Sequence, residues 1–370
     1  LQLHPVPIDD LKVPDFISSF DFDFFNKFQS QVFNTLYHTD ENVFVGIVKG
    51  SGKTVIAELA LLNHWKQNKG RAVYICPSQE KIDILVKQWS SRFGDIAEGK
   101  VINKFSNELS SNLKVLADSH VILSTPQQFD LVSRRWKQRK NVQSIELFIA
   151  DDVQIVGNGA EGSVYENIIS RMRFMSSQLE NKLRIVALST SLANGRDFGE
   201  WIGADKNNIF NFSSKERIRP LEIHLQSYNI NHNPSLILAM IKPTYLAVKG
   251  YEAGSSLVFV PSRKQCIEIG LEFLRLANAD ETSFLNANIE DIEPLLNKVS
   301  DQSLKDSLSS GIGFYYKNMG ATDKKVVEKL FNKGALSVLF ATKDTAFYAP
   351  TANLVIVLST QFYEGKEHRY

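Results

Sequence analysis

Apolar positions along this chain follow two different periods. Short β-branched runs occupy 42–48, 72–75, 121–123, 147–150, 184–188 and 209–212, and runs apolar at every position suit strands buried on both faces, as in a parallel sheet. Between them, 54–68, 79–93 and 164–179 carry apolar residues at helical spacing. Strand and helix in alternation predict a doubly wound α/β domain over 1–212. Strands at 256–260, 311–315, 337–341 and 354–358, with helices at 263–277 and 323–331, predict a second such domain over 213–370. The architecture repeats although the sequence does not.

Three stretches depart from the pattern. Residues 211–220 are rich in Ser, Lys and Arg with little apolar content and mark a linker,. The alternation over 221–228 predicts a half-exposed strand. The segment 279–308 is acidic, contains Asn and Ser, and predicts an exposed insertion in the second domain.

A chain of 370 residues with 43% hydrophobic content is long enough for two cores,. Its net charge of +1 supplies no global basic field, so any RNA contact must be local. Cys76 and Cys266 lack the paired spacing of a zinc site or redox dithiol,, and predict two buried thiols in a reducing compartment. Without a long apolar run or a signal-peptide layout, the expectation is a soluble, intracellular protein. A start at Leu1 and a stop at Tyr370, just past an apolar strand, suggest a piece of something longer.

The strongest chemical signal follows the first strand. Lys49-Gly50-Ser51-Gly52-Lys53-Thr54 lies between a strand and a helix, the context a phosphate-binding loop requires. Glycines let backbone amides close around phosphate oxygens, Lys53 offers a point charge to the β- and γ-phosphates, and the Thr54 hydroxyl can ligate magnesium. Ile47 stands where the strict pattern has a glycine. After the strand at 147–150 come Asp151-Asp152-Val153-Gln154, placed where a second acidic motif holds magnesium. Asp pairs often cap helices, but the register with Lys53 favours the metal-site reading.

These motifs resemble those of superfamily 2 helicases, whose cores are two RecA-like P-loop domains. The family's loop reads Ala-Pro-Thr-Gly-Ser-Gly-Lys-Thr; here Ile47, Val48 and Lys49 replace its first three residues. Its acidic motif reads Asp-Glu-x-His, so Asp151 matches the metal-holding Asp. Asp152 replaces the Glu that activates the attacking water, and Gln154 replaces the His that links nucleotide state to the rest of the motor. An Asp carboxylate falls short of a Glu by more than about 1 Å, and such a misplacement lowers rate roughly a hundredfold. The resemblance therefore implies slow hydrolysis or none.

Further matches follow in order. Phe25-Asn26-Lys27-Phe28-Gln29 resembles an adenine-reading Gln motif, and Cys76-Pro77 and Ser124-Thr125-Pro126-Gln127 resemble RNA-facing motifs. Ser189-Thr190-Ser191 resembles the Ser-Ala-Thr coupling motif without its pattern. In the second domain 257–263, 311–319 and 341–348 resemble family motifs, with the bulky Tyr348 where a glycine is normal. The arginine-finger motif normally lies downstream of Tyr370.

The run Ser133-Arg134-Arg135-Trp136-Lys137-Gln138-Arg139-Lys140, with Gly365-Lys366-Glu367-His368-Arg369-Tyr370, closely resembles the tandem-cassette spliceosomal U-five snRNP RNA helicases. In that family an active N-terminal cassette unwinds the U-four/U-six duplex, and a decayed C-terminal cassette regulates it and docks splicing factors. The resemblance implies the second cassette, from a fungus, with the N-terminal cassette and other spliceosomal proteins as partners, ATP or ADP with magnesium as ligands, and a nuclear location. The nucleotide site would use Gln29, Lys49, Gly50, Ser51, Gly52, Lys53 and Thr54, with Thr54 and Asp151 on the metal.

Candidate RNA or partner contacts are Pro77, Thr125, Arg134, Arg135, Trp136 and Arg139, because Arg and Trp together stack on bases or anchor a protein. The basic run reads equally as a solvated face on a helix ending near Trp136. The expected function is a pseudo-helicase module acting as regulator and docking platform. Its rival is a working ATP-driven RNA translocase. A small-molecule kinase or other phosphate-loop enzyme would not need the second domain with its own ordered motifs.

Overall fold

The computed structural model describes residues 4–369 apart from 95, 97–99, 158, 180–181, 219, 252–253, 347–348, 361 and 364–367. Tyr348, Gly365, Lys366, Glu367 and Tyr370 lie outside the described residues. The chain divides into two compact units, Leu1–Ile223 and His224–Tyr370.

The strands of the first unit are β1 (Val43–Gly46), β2 (Arg71–Ile75), β3 (Ile102–Lys104), β4 (Val121–Ser124), β5 (Ile145–Ala150), β6 (Arg184–Ser189) and β7 (Ile209–Asn211). They form one parallel sheet in the order β3-β4-β2-β5-β6-β1-β7. Helices α1 (Pro14–Ser18) and α2 (Lys27–His38) precede β1, α3 (Lys53–Lys66) follows β1, and α4 (Gln79–Phe93) follows β2. Then come α5 (Leu109–Asp118), α6 (Pro126–Ser133), α7 (Lys140–Gln143), α8 (Gly159–Gln178) and α9 (Gly195–Trp201).

Residue alternation along the strands builds two cores. Val43, Val45, Tyr74, Leu147 and Ile149 join one cluster with the apolar faces of α2, α3 and α4. Their neighbours Phe44, Val73, Ile75, Phe148 and Ala150 join the opposite cluster with Phe129 of α6 and Tyr165, Ile168 and Met172 of α8. Both faces of the sheet are therefore covered, which is why the central strands carry consecutive apolar residues. This is the doubly wound, RecA-like P-loop arrangement that the sequence predicts.

The second unit carries α10 (Asn233–Lys249), β8 (Ser256–Val260), α11 (Arg263–Ala279), α12 (Ile289–Leu296), α13 (Gln302–Ser309), β9 (Ile312–Tyr315), α14 (Ala321–Asn332), β10 (Val338–Thr342) and β11 (Leu354–Val357). Its parallel sheet runs β11-β8-β10-β9.

Three expectations are corrected. The division falls after Ile223 rather than at 212, because Phe212 packs edge-on to Phe28 at 4.8 Å and Glu216 pairs with Lys27 at 2.8 Å, tying 212–216 to the first unit. Residues 221–228 are not a strand, and Leu225 is 94% exposed. The segment 279–308 is no exposed insertion: it forms α12 and most of α13, and Ile292, Leu296, Leu304 and Leu308 are buried in the second unit's core. Each such side chain contributes roughly 1.5–3 kcal/mol on burial.

Candidate nucleotide site

The site forms where β1, β6 and β5 end side by side. The chain leaves β1 through buried Ile47 and Val48 and turns at Gly50 and Gly52, whose φ values are 80° and 84°. Only glycine adopts such angles without strain, so the loop's two glycines follow from its shape. Gly52 then caps α3, which begins at Lys53. Thr54, the next residue, is partly buried.

The start of α2 clamps this loop from outside. Asn26 caps α2 through a reciprocal box with Gln29: the Asn26 side chain accepts from Gln29 N–H, and the Gln29 side chain accepts from Asn26 N–H at 2.9 Å. The remaining donors turn toward the loop, Asn26 Nδ2 to the Ser51 carbonyl at 3.0 Å and Gln29 Nε2 to the Gly52 carbonyl at 3.3 Å. A Cβ at Gly52 would sit 2.3 Å from Gln29 Nε2. In this geometry Gln29 positions the loop.

At the end of β5, Asp151 is held on every side. One carboxylate oxygen accepts from Asp152 N–H at 2.9 Å. The other accepts from the Tyr74 hydroxyl and from Lys81 Nζ, the latter at 2.5 Å. The Asp151 carbonyl accepts from Tyr165 at 2.7 Å. Its side chain is 1% exposed.

Asp152 stands between two lysines, with Lys81 at 3.5 Å and Lys53 at 3.9 Å. Burial works against its carboxylate, but Lys81, Gln154 and Lys53 outweigh it and hold the group below the usual range. Burial also lowers Lys53, which Asp152 and Asp151 only partly offset. For Lys81 burial is opposed by Asp151, Cys76 and Asp152, and the net direction is upward. The closer pairing belongs to Lys81.

These surroundings bear on magnesium. Cys76, Asp151 and Asp152 place ligand atoms within 4.8 Å of one another. Burial, then Asp151, pushes the Cys76 thiol up to about 12, so it stays a thiol. Both Asp151 oxygens already accept hydrogen bonds, one of them from an ammonium. The Asp151 oxygen that Tyr74 and Lys81 share therefore has both acceptor sites filled, one by a cation, and presents none to a divalent ion,.

Gln154 bridges to the neighbouring strand. Its Nε2 donates to Asp152 at 3.1 Å, while its Oε1 accepts from Ser189 Oγ at 3.3 Å and Thr190 N–H at 3.2 Å. The topology explains the reach, because β6 lies between β5 and β1. The Ser191 hydroxyl is buried without a partner among the described residues.

The remaining candidates are engaged in other ways. Thr125 caps α6 in a box with Gln128, whose Nε2 reaches Gln79 and Asn107, each at 3.1 Å. Pro77 sits in the turn before the Ser78 cap of α4. Arg134 pairs with Asp130 at 2.7 Å, which also receives Arg171 at 2.8 Å. The helix expected to end near Trp136 stops at Ser133, and Trp136 opens a separate 3-10 turn with its ring edge-on to Phe174 at 6.1 Å. Arg135 and Arg139 are exposed. In the second unit, Arg263 stacks over Tyr316 at 4.5 Å, joining the 257–263 and 311–319 stretches.

Lys81 and Tyr74 were absent from the sequence-based site. Lys81 follows the capping Ser78 by three residues at the start of a helix after β2, the one clue that it begins near the sheet's carboxyl edge.

Residues 26–198 match the DEAD/DEAH box helicase family. Over its full length the chain is 44% identical to the pre-mRNA-splicing factor brr2 of Schizosaccharomyces pombe and covers 17% of that protein. It is 42% identical to the human U5 small nuclear ribonucleoprotein 200 kDa helicase, covering 18% of it, and 39% identical to the DExH-box ATP-dependent RNA helicase DExH12 of Arabidopsis thaliana, covering 17%. The chain thus spans less than a fifth of these relatives' length and is similar to them throughout its own. Among the described residues, no helix is long and apolar enough to cross a membrane.

Proposed function

We propose that this chain is the degenerate C-terminal cassette of a fungal pre-mRNA-splicing RNA helicase. It binds ATP or ADP through Lys49 to Thr54, hydrolyses it poorly or not at all, and serves as regulator and docking platform for the active N-terminal cassette and other spliceosomal proteins in the nucleus. Pro77, Thr125, Arg134, Arg135, Trp136 and Arg139 are the candidate RNA or partner contacts.

The observation that carries this reading is the state of Asp152, which stands where the family's water-activating Glu belongs. Its carboxylate faces Lys81 at 3.5 Å and Lys53 at 3.9 Å. A carboxylate held by two ammonium groups and a Gln amide is a weak acceptor for a water proton.

The test is ATP binding by calorimetry and RNA-stimulated phosphate release on the chain extended past Tyr370 to include the arginine-finger motif, beside Lys53→Ala. Binding that Lys53→Ala abolishes, without RNA-stimulated turnover, supports the proposal. Robust turnover lost in Lys53→Ala establishes a working motor instead, a reading favoured by the intact Gln154 bridge from Asp152 to Ser189 and Thr190.

A further inference from the structure

The side chain that meets the acidic pair comes from a helix start. Ser78 caps α4 by accepting Lys81 N–H at 3.2 Å, which fixes position 81 in the first turn just beyond β2. Strand β2 pairs with β5 up to Ile75 and Ala150, so the first turn of α4 and the acidic pair leave the sheet from neighbouring strands. The Lys81 ammonium reaches both carboxylates, Asp151 at 2.5 Å and Asp152 at 3.5 Å, and the side chain as a whole is 22% exposed. The Tyr74 hydroxyl donates to the same Asp151 oxygen, so two donors occupy it.

Magnesium binds carboxylate oxygens at about 2.0–2.1 Å and demands near-octahedral geometry. An ammonium hydrogen-bonded to the same oxygen occupies that approach and repels a second cation strongly at such range. A lysine carries three donors on a compact charge, and two of them are directed to these carboxylates.

We propose that Lys81 is the built-in cation of this phosphate loop, taking the place of magnesium so that the loop holds a nucleoside di- or triphosphate without a divalent ion. The proposal rests on the nucleotide-binding reading above. Phosphate charge is met by Lys53, Lys81 and the amides at the start of α3. An ammonium withdraws less charge from a phosphate than a divalent ion does, which suits retention of nucleotide rather than turnover.

The experiment is calorimetric titration of the 370-residue chain with ADP, once with magnesium and once with EDTA, for wild type, Lys81→Met and Lys81→Arg. Manganese titration of the nucleotide-free proteins, read by electron paramagnetic resonance, supplies a signal independent of nucleotide. Wild type and Lys81→Arg are expected to bind ADP within about threefold in the two media, and Lys81→Met at least about tenfold more tightly with magnesium. Lys81→Met is also expected to bind manganese at least about tenfold more tightly than wild type, an increase removed by adding Asp151→Asn.

If wild type binds ADP only with magnesium, the inference fails while the nucleotide-binding reading survives. If wild type binds ADP in neither medium, both fail. Should Lys81→Met not fold, the wild-type and Lys81→Arg comparison decides alone.

Discussion

Gln154 holds the Asp152 carboxylate at 3.1 Å while Asp152 itself sits in a left-handed conformation at φ 52°. That backbone region is tolerated by Asp and Asn and disfavours longer side chains. Asp152→Glu is therefore expected to lower stability by about 1 kcal/mol, and Asp152→Asn to change it less. Urea denaturation of the three proteins measures this; equal midpoints for Glu and Asp would contradict it.

Arg92 closes on Glu58 through two nitrogens at 2.8 and 3.1 Å, and Trp89 donates to the same carboxylate at 2.8 Å. Burial raises the Glu58 carboxyl despite Arg92. Removing only the cation, as in Arg92→Met, strands a buried charge and should destabilise the first unit by about 3–5 kcal/mol. Adding Glu58→Gln, which keeps an acceptor for Trp89, should recover most of the loss. A double variant as unstable as the single one would count against the pairing.

His64 is buried with Nε2 2.7 Å from the Gly70 carbonyl, a contact the neutral ring makes as a donor. Burial lowers its pKa from 6.5 to about 4. The folded value is depressed, so the unfolded chain takes up the proton first as pH falls. This residue's stability contribution is present above pH 6.5 and is lost progressively toward about pH 4,. At pH 5 the loss is about 2 kcal/mol relative to neutral pH. His64→Gln should flatten the fall in denaturation midpoint between pH 7 and pH 5; an unchanged slope would assign the acid sensitivity elsewhere.

Gly311 and Gly334 share positive φ, at 83° and 74°, but not space. A Cβ on Gly311 would meet the Phe284 backbone at 2.0 Å, whereas Gly334 has nothing within 4 Å. Gly334→Ala should cost about 1 kcal/mol from backbone strain, and Gly311→Ala at least about 2 kcal/mol more through the clash. Thermal melts of the pair separate the two terms, and similar losses would show that the Phe284 segment yields freely.

The shape of the loop was legible because it is local: Gly50 and Gly52 turn the chain after β1, and Lys53 and Thr54 open α3. The place of Asp151 was legible because it directly follows a continuous apolar run and so lies at the end of β5. Lys81 was not, since on its own helix it looks like any surface lysine, and only the pairing of β2 with β5 brings it to Asp151. The segment 279–308 misled because its acidic and Asn residues outweighed a sparse apolar pattern; Ile292 with Leu296, and Leu304 with Leu308, carried the four-residue spacing of a buried face. Residues 221–228 have a strand's alternation and no strand's structure: Leu221, Ile223 and Leu225 are all exposed, and alternation alone provides no neighbouring ladder.

The position of β6 limits how motion can travel. It is paired to β5 on one side and to β1 on the other, and Ile47 N–H still donates to the Ser189 carbonyl at 3.1 Å. Thr190 is the first residue past this lattice, and its amide is held by Gln154 instead. A change in charge at the acidic pair therefore meets paired strands up to Ser189 and side-chain tethers beyond it, Gln154 on the Thr190 amide and Asn211 on both backbone groups of Leu192.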